Sequence, residues 1–401
     1  MRKYQQVALL VLALISVIGL TAYRNQYIQL KSSVEGFSIF GDPEKPQGCM
    51  ILNETLKFDA IKLSYPISGW MSLQDDFNVY SAFWKGNGIA TAVGIGPKTR
   101  IPNFECHIWH ESGDSLFSNK GSFSFKEILV QDSSYSVFEF SCDMNSKRIQ
   151  GSPYMFVFIK EKTKRFVPID GGSDKLQQGS VAMCVYPDYT GLSKLSVIDF
   201  IGYHQVIGFT DFIIYDEIHY GILRKMKGVL SGLDLIKSFD VLPWLFPLEL
   251  TDATARAVID VDCIHRVSNK VSFVAIVSFE DYLLPKSHKK ITHIINSSSP
   301  AVLKFAYQTC CIDFNNDRLS EESWPLVLKK TQCVENNENR RVIISPQQDT
   351  LNTVSVTSLA VINSYKKCSK VKKTNITYDL SARKFLDELL KSKIILLRNL
   401  I

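Results

Sequence analysis

Glu280 and Asp281 stand side by side in the segment SFEDYLLP (278–285), at the end of an apolar, strand-like run at 271–279. Adjacent carboxylates at a strand end are a reasonable ligand set for a hard divalent cation, which prefers oxygen donors. A cation held there can neutralise a departing diphosphate. The plain alternative is a pair of solvated acids in a loop. Other side chains carry weaker signals. His204 falls on a helical run, where a histidine is more often packed than ligating. Trp244 and Trp324 offer faces on which a sugar ring can stack, and they suit a core equally well. No GxGxxG or GxxxxGKS/T pattern follows the first strand of this region, so neither a dinucleotide site nor a P-loop is supported.

These acids need a scaffold, and the pattern around them alternates. Strand-like runs at 181–185, 211–215, 233–242 and 271–279 are separated by helical runs at 192–207, 219–231 and 253–268. The first helical run carries Leu195, Ile198, Ile201 and Val206 at helical spacing. Such a βαβ order predicts an α/β domain with a mostly parallel, Rossmann-like sheet covered by helices. Ligands in such sheets bind beyond the carboxyl ends of strands. The loops after Val185, Tyr215 and Phe279 are therefore the expected site. Residues 46–170 have a different texture. Short aromatic and β-branched runs at 56–65, 79–84, 88–95, 104–108, 123–130, 136–142 and 154–159 predict an antiparallel β-sandwich. GGSD at 171–174 marks the boundary. Residues 382–401 read as one C-terminal helix, with Phe385, Leu386, Leu389 and Leu390 on one side.

The amino terminus sets the address. Arg2 and Lys3 precede an apolar run at 7–23, which as a helix spans roughly 25 Å, close to a hydrocarbon core. The positive flank keeps the terminus cytosolic and sends the remainder into the lumen. A cleaved signal peptide, with Leu20-Thr21-Ala22 near the cut, is the alternative. The expected plan is a cytosolic tail (1–6), a transmembrane signal anchor (7–23), a stem (24–45), the sandwich (46–170), the α/β domain (175–380) and the terminal helix (381–401). Glycosylation sequons at Asn53, Asn296 and Asn375 fit a lumenal location. So do nine cysteines without a CxxC zinc pattern, several of which are expected in disulfides. Cys106 and Cys142 lie on strand-like runs and are expected to pair. Cys310 and Cys311 are adjacent and cannot share a strand face, so at least one is expected to join Cys333 or Cys368. A net charge of +6 over 401 residues is weak. The basic stretches at 160–165, 286–290 and 366–373 lack interleaved aromatics, which argues against a nucleic-acid partner.

Residues 180–370 resemble glycosyltransferase family 92. Three collinear segments carry the resemblance: VAMCVYPDY (181–189), IDFIGYHQVIGFTDFIIYD (198–216) and DCIHR (262–266). It implies an A-type glycosyltransferase fold in a Golgi type II membrane enzyme. The implied reaction moves a sugar, typically galactose, from a UDP-sugar donor to a glycan acceptor with inversion, with Mn2+ holding the diphosphate. On the resemblance and on strand-end placement, Tyr186, Asp216, Asp262 and Arg266 would bind the donor. Glu280 and Asp281 would hold the metal. Inversion also needs a general base near the acceptor hydroxyl, for which Asp313, Asp317, Glu321 and Glu322 are candidates. The chain departs from the family pattern in places. Members usually carry DxDEF where SFEDY (278–282) stands, so Ser278 replaces the first acid and Glu280 the second. Ser364, in NSYKKC (363–368), stands where a family histidine is expected. A second histidine, expected after 341–346, is missing from LNTVSV (351–356). These departures motivate an alternative, a lumenal family member that binds a glycan or a protein without turnover. The sandwich could also act as a separate carbohydrate-binding module.

Overall fold

The computed structural model describes residues 69–400 apart from 113–114, 132, 146–151, 171–176, 188–191, 217–219, 232–235, 246–250, 287–289, 299–301, 347–352, 356–358 and 369–375. The expected tail, anchor and stem, the run at 56–65, and Asn53, Asn375 and Cys49 lie outside these residues. Among the described residues no helix is long and apolar enough to cross a membrane.

The chain first lays down β1 (Met71–Ser72), β2 (Asn78–Gly86), β3 (Ile89–Pro97), β4 (Glu105–Ser112), β5 (Ser115–Ile128), β6 (Tyr135–Asp143), β7 (Ser152–Lys160) and β8 (Thr163–Asp170). The expectation of a sandwich is corrected here. The strands run in the order β2-β3-β6-β5-β4-β7-β8, and β8 returns to β2 in parallel, Ala82 opposite Ile169 and Phe83 opposite Asp170. This closes a seven-stranded barrel. β5 turns the corner: it pairs with β4 up to Gly121 and with β6 from Ser122. A side chain at Gly121 would place its Cβ 2.5 Å from Cys142 Sγ, so the bend needs glycine. The interior is filled by Phe77, Phe104, Phe138, Phe140, Phe156 and Phe158 around the expected Cys106–Cys142 disulfide. Alternating apolar and polar residues look the same in a sandwich and in a barrel. What separates them is whether the edge strands meet, a contact with no local signature.

The second half continues with β9 (Gln177–Val185), α1 (Lys194–Val206), β10 (Asp211–Asp216), α2 (Tyr220–Ser231), β11 (Ser238–Pro243), α3 (Asp252–Val267), β12 (Val271–Val277), β13 (Asp281–Pro285), α4 (Ile291–Ser298), β14 (Val302–Cys311), α5 (Leu326–Lys329), β15 (Gln332–Ile344), β16 (Thr353–Ser355), β17 (Ala360–Lys366) and β18 (Ile376–Tyr378). The expected A-type, Rossmann-like, mostly parallel sheet is also corrected. The sheet is ten-stranded and mixed, ordered β11-β10-β9-β12-β15-β14-β17-β13, with β16 beside β14 and β18 beside β15. β11, β10, β9 and β12 are parallel, as their intervening helices require. β15 then runs antiparallel to both β12 and β14, and β13 antiparallel to β17. The chain after residue 280 thus adds antiparallel pairings to a parallel start. The terminal segment is likewise not one helix. Ser392 is extended (φ −64°, ψ 125°) and separates α6 (Leu386–Lys391) from α7 (Lys393–Leu396), between short 3-10 turns at Ser381–Phe385 and Leu397–Leu400.

Helix α3 joins the two halves. Val258, Ile259, Cys263 and Val267 pack in one buried cluster with Tyr80, Phe83 and Val93 of the barrel and Ala182, Cys184 and Ile213 of the sheet. Cys263 is disulfide-bonded to Cys184 of β9. One turn of α3 carries Asp262 and Arg266, an i, i+4 pair with Arg266 Nη2 at 3.1 Å from Asp262 Oδ1. Asp262 is wholly buried. It also accepts from Ser81 of β2 and, at 2.5 Å, from the Tyr215 hydroxyl of β10. Arg266 reaches Asp170 of β8 at 3.3 Å and lies over the Phe83 ring. Burial opposes the Arg266 charge, but the charge and hydrogen bond of Asp262, together with Tyr215 and Tyr80, outweigh it and hold the pKa above its ordinary value. Beside this pair, His265 bonds Glu139 of β6 at 2.6 Å. Burial would raise the Glu139 carboxyl, yet the hydrogen bond and charge of His265, helped by Lys126, hold it down at about 2.

The two adjacent cysteines take opposite faces. Cys310 pairs with Cys333, its register partner on β15, and Cys311 with Cys368. With Cys106–Cys142 and Cys184–Cys263, these are the four disulfides among the described residues. Non-reducing peptide mapping should recover these four linkages, and a Cys310–Cys368 linkage would overturn the register of β14. Asp262→Ala should lower unfolding stability by about 3–5 kcal/mol, because it leaves the buried Arg266 with Asp170 as its one remaining ion pair and strands the Ser81 and Tyr215 hydroxyls in the seam; urea denaturation measures this. Glu139 binds its proton more weakly in the folded chain than its ordinary value of 4.5. Its contribution is therefore full above that value and fades as pH falls toward about 2. Glu139→Gln should be less stable than the native chain at pH 6. Melting curves should show that gap narrowing below pH 4.5.

Candidate functional site

β9, β10, β11 and β12 point one way. β14 and β17 share their direction, because β15 lies antiparallel between β12 and β14. The carboxyl ends of these strands carry the candidate residues. Tyr186 follows β9, and its backbone N–H donates to the Val277 carbonyl at 2.9 Å, tying the end of β9 to the end of β12. Its phenol donates to Asp260 on α3, and the Arg256 guanidinium stands 5.1 Å from its ring centre. Arg256 and Asp260 are one helical turn apart, so α3 grips both the edge and the face of this ring. Asp216 ends β10, is 2% exposed, and accepts from the Trp244 N–H through its carbonyl at 2.9 Å. Trp244 itself packs edge-on against Trp70, Tyr80 and Tyr215. Both Trp244 and Trp324 are buried, which makes them core residues and not sugar platforms.

Beyond β12 the chain turns sharply. The Asp281 N–H donates to the Ser278 carbonyl at 3.0 Å, and the Ser278 N–H returns to Asp281 Oδ2 at 3.3 Å. The turn delivers the acids to β17. Tyr365 N–H donates to the Glu280 carbonyl at 2.8 Å, and Asp281 stands opposite Ser364 in the β13–β17 register. Here the Glu280 carboxylate meets Lys366, Nζ to Oε2 at 3.3 Å. Partial burial works against the ammonium, but Tyr307, Glu280 and Asp281 outweigh it and raise the Lys366 pKa.

Tyr186, Asp216, Glu280 and Asp281 thus share one sheet end. Asp262 and Arg266, expected beside them, sit instead in the barrel–sheet seam with their polar atoms committed there. His204 is a packed, neutral histidine. Its Nδ1–H donates to the Phe200 carbonyl at 2.8 Å, Nε2 accepts from the Leu283 N–H at 3.4 Å, and burial drives its pKa down to about 3. Among the base candidates, Asp313 is linked to the corner of Glu280 through the strand that carries Lys366. It is exposed, accepts from the Cys368 N–H at 2.8 Å, and follows Ile312, whose N–H donates to the Lys366 carbonyl at 3.0 Å. Asp317 is tied to the Leu319 N–H, Thr331 and Arg383, which together lower its pKa against the effect of burial. Glu321 and Glu322 are exposed. Asn296 falls on α4, with its side chain outside the described residues.

Lys366 went unnoticed in the sequence, where it reads as the start of a basic stretch. The alternation of β17 is the signal that bears on it, since Ser364 and Lys366 share a strand face. Its presence changes the prospects for Mn2+. A divalent ion needs several oxygen donors around one point. Glu280 already faces an ammonium, Asp281 is turned onto its own loop, and the first-acid and histidine positions are the buried Ser278 and Ser364. Among the described residues, the one grouping of three metal-type ligands is Cys311, Asp313 and Cys368, whose sulfurs are joined to each other. The donor set does not fit a resident Mn2+.

The family model for glycosyltransferase family 92 matches residues 179–383, half of the sequence. The chain belongs to that family. No curated protein matches it. Among solved structures it is similar to 4-diphosphocytidyl-2C-methyl-D-erythritol synthase from Anaerococcus prevotii. The identity is 6%, the TM-score 0.25, and the match covers 53% of this chain and 96% of that one. A likeness this slight carries no argument.

Proposed function

We propose that this chain transfers a sugar, galactose in the first instance, from a UDP-sugar to a glycan hydroxyl with inversion, as a Golgi type II membrane protein. The observation that supports the reading is the family match itself, within which Tyr186, Asp216 and the Glu280–Lys366 pair lie at the same end of the sheet. The lumenal address rests on the 1–23 segment and on the sequons. In the transfer, the bond from the sugar's anomeric carbon to the diphosphate oxygen breaks, and its electron pair leaves with the nucleotide. The acceptor oxygen bonds to the opposite face of that carbon and gives its proton to a base. Asp313 is the candidate base that lies on the same corner as Glu280. Tyr186, held on both sides by α3, would stack or hydrogen-bond on the nucleotide side.

The second reading, a lumenal protein that binds a glycan or another protein without turnover, is favoured by Lys366 pairing with the Glu280 carboxylate that was expected to ligate a metal. Incubation of the full chain with a UDP-sugar panel and a glycan panel separates the two. Transfer is the expected outcome. Asp313→Asn, which keeps an oxygen for the Cys368 N–H, should lower kcat by about 100-fold or more with the donor KM and melting temperature little changed. The absence of transfer across both panels, with glycan binding intact, would establish the second reading instead.

A further inference from the structure

We infer that Lys366, held in place by Glu280, is this chain's own cation for the diphosphate of a nucleotide donor, so that the nucleotide binds without a divalent metal ion. The inference rests on the donor-site reading above and deepens it. Lys366 Nζ sits 3.3 Å from Glu280 Oε2, on the corner where the metal acids were expected. An ammonium has three donors and no acceptor, so the contact with Glu280 orients the group and leaves N–H bonds for another anion. The side chain is 41% exposed, which keeps those bonds within reach of solvent and ligand. A lysine acts on phosphate as a point charge and needs no bidentate fork.

At this corner Lys366 faces two carboxylates, Glu280 and Asp281, and the first acid expected of a metal site is Ser278. Ser364 supplies an independent observation. It lies on the same face of β17 as Lys366, and its buried hydroxyl has no hydrogen-bond partner among the described residues. A buried hydroxyl without a partner is uncommon and marks a place where a further polar group belongs. It stands opposite Asp281 in the register, two residues before Lys366.

Titration calorimetry on the full chain tests the inference, with UDP and inorganic pyrophosphate as probes, in EDTA and again in Mn2+. The native chain should bind UDP in EDTA, with an affinity within about threefold of that in Mn2+. Lys366→Met should weaken UDP binding in EDTA by about tenfold or more, and Lys366→Arg should retain most of it. The melting temperature of Lys366→Met should stay close to native, since the residue is half-exposed. Binding that appears only with Mn2+ would overturn the role of Lys366 and leave the donor-site reading standing. So would native-like binding by Lys366→Met in EDTA. Failure of the native chain to bind UDP under either condition would overturn both. Should Lys366→Met not fold, the comparison of EDTA with Mn2+ on the native chain decides the matter.

Discussion

A carboxylate without solvent is costly unless it is paired and fully hydrogen-bonded. Asp262 meets that demand from three separate elements: Ser81 from the barrel, Tyr215 from the sheet and Arg266 from its own helix. Arg266 passes the constraint on to Asp170, which with Ile169 makes the pairing that closes the barrel. None of these partners is in place until the barrel has closed and α3 has docked on the sheet. The seam is therefore cooperative, since any partner left out leaves a buried charge short of a hydrogen bond or an ion pair. The disulfide from Cys263 to Cys184 fastens the same turn of helix to β9. One helical turn earlier, Asp260 and Arg256 hold Tyr186 at the mouth of the site. The helix that locks the architecture also sets the first residue of the candidate donor site.

The antiparallel additions to the sheet matter for chemistry as well as for fold. β13 pairs with β17 in a register that sets Asp281 opposite Ser364, and this brings Glu280 to Lys366. A slip of one residue would turn every side chain of β17 to the other face. Lys366 would then lose Glu280. The other face of the sheet is equally committed, because Gln308, Asn363 and Asp379 form a closed polar network there. The register is thus held from both sides, and the cation at the site is a consequence of sheet geometry.

Much of the local structure was legible in the residues. The helical run at 192–207 is Lys194–Val206, that at 253–268 is Asp252–Val267, and the strand at 211–215 is Asp211–Asp216. These segments have strong periodicity, and periodicity is a local property. β8 went unread because Lys164 and Arg165 mask its alternation. The terminal helix was over-read, since its apolar stripe continues past Ser392 although the backbone does not. The DCIHR segment was read as donor-binding for an understandable reason. Acid and guanidinium in a short motif have the same composition whether they face a ligand or seal an interface.

By itself the sequence determined the order of most helices and strands, the family, and the opposite facing of Cys310 and Cys311. Each of these follows from patterns within a turn or two of chain, or from collinear motifs. Only the tertiary structure decided that the sheet of the first half closes into a barrel and that the parallel strands continue as a mixed sheet. It alone placed Asp262 in a seam and Lys366 against Glu280. Those outcomes depend on which distant segments become neighbours, and in which register. Partners such as Ser81 and Asp262, 181 residues apart, leave no trace in the spacing of either.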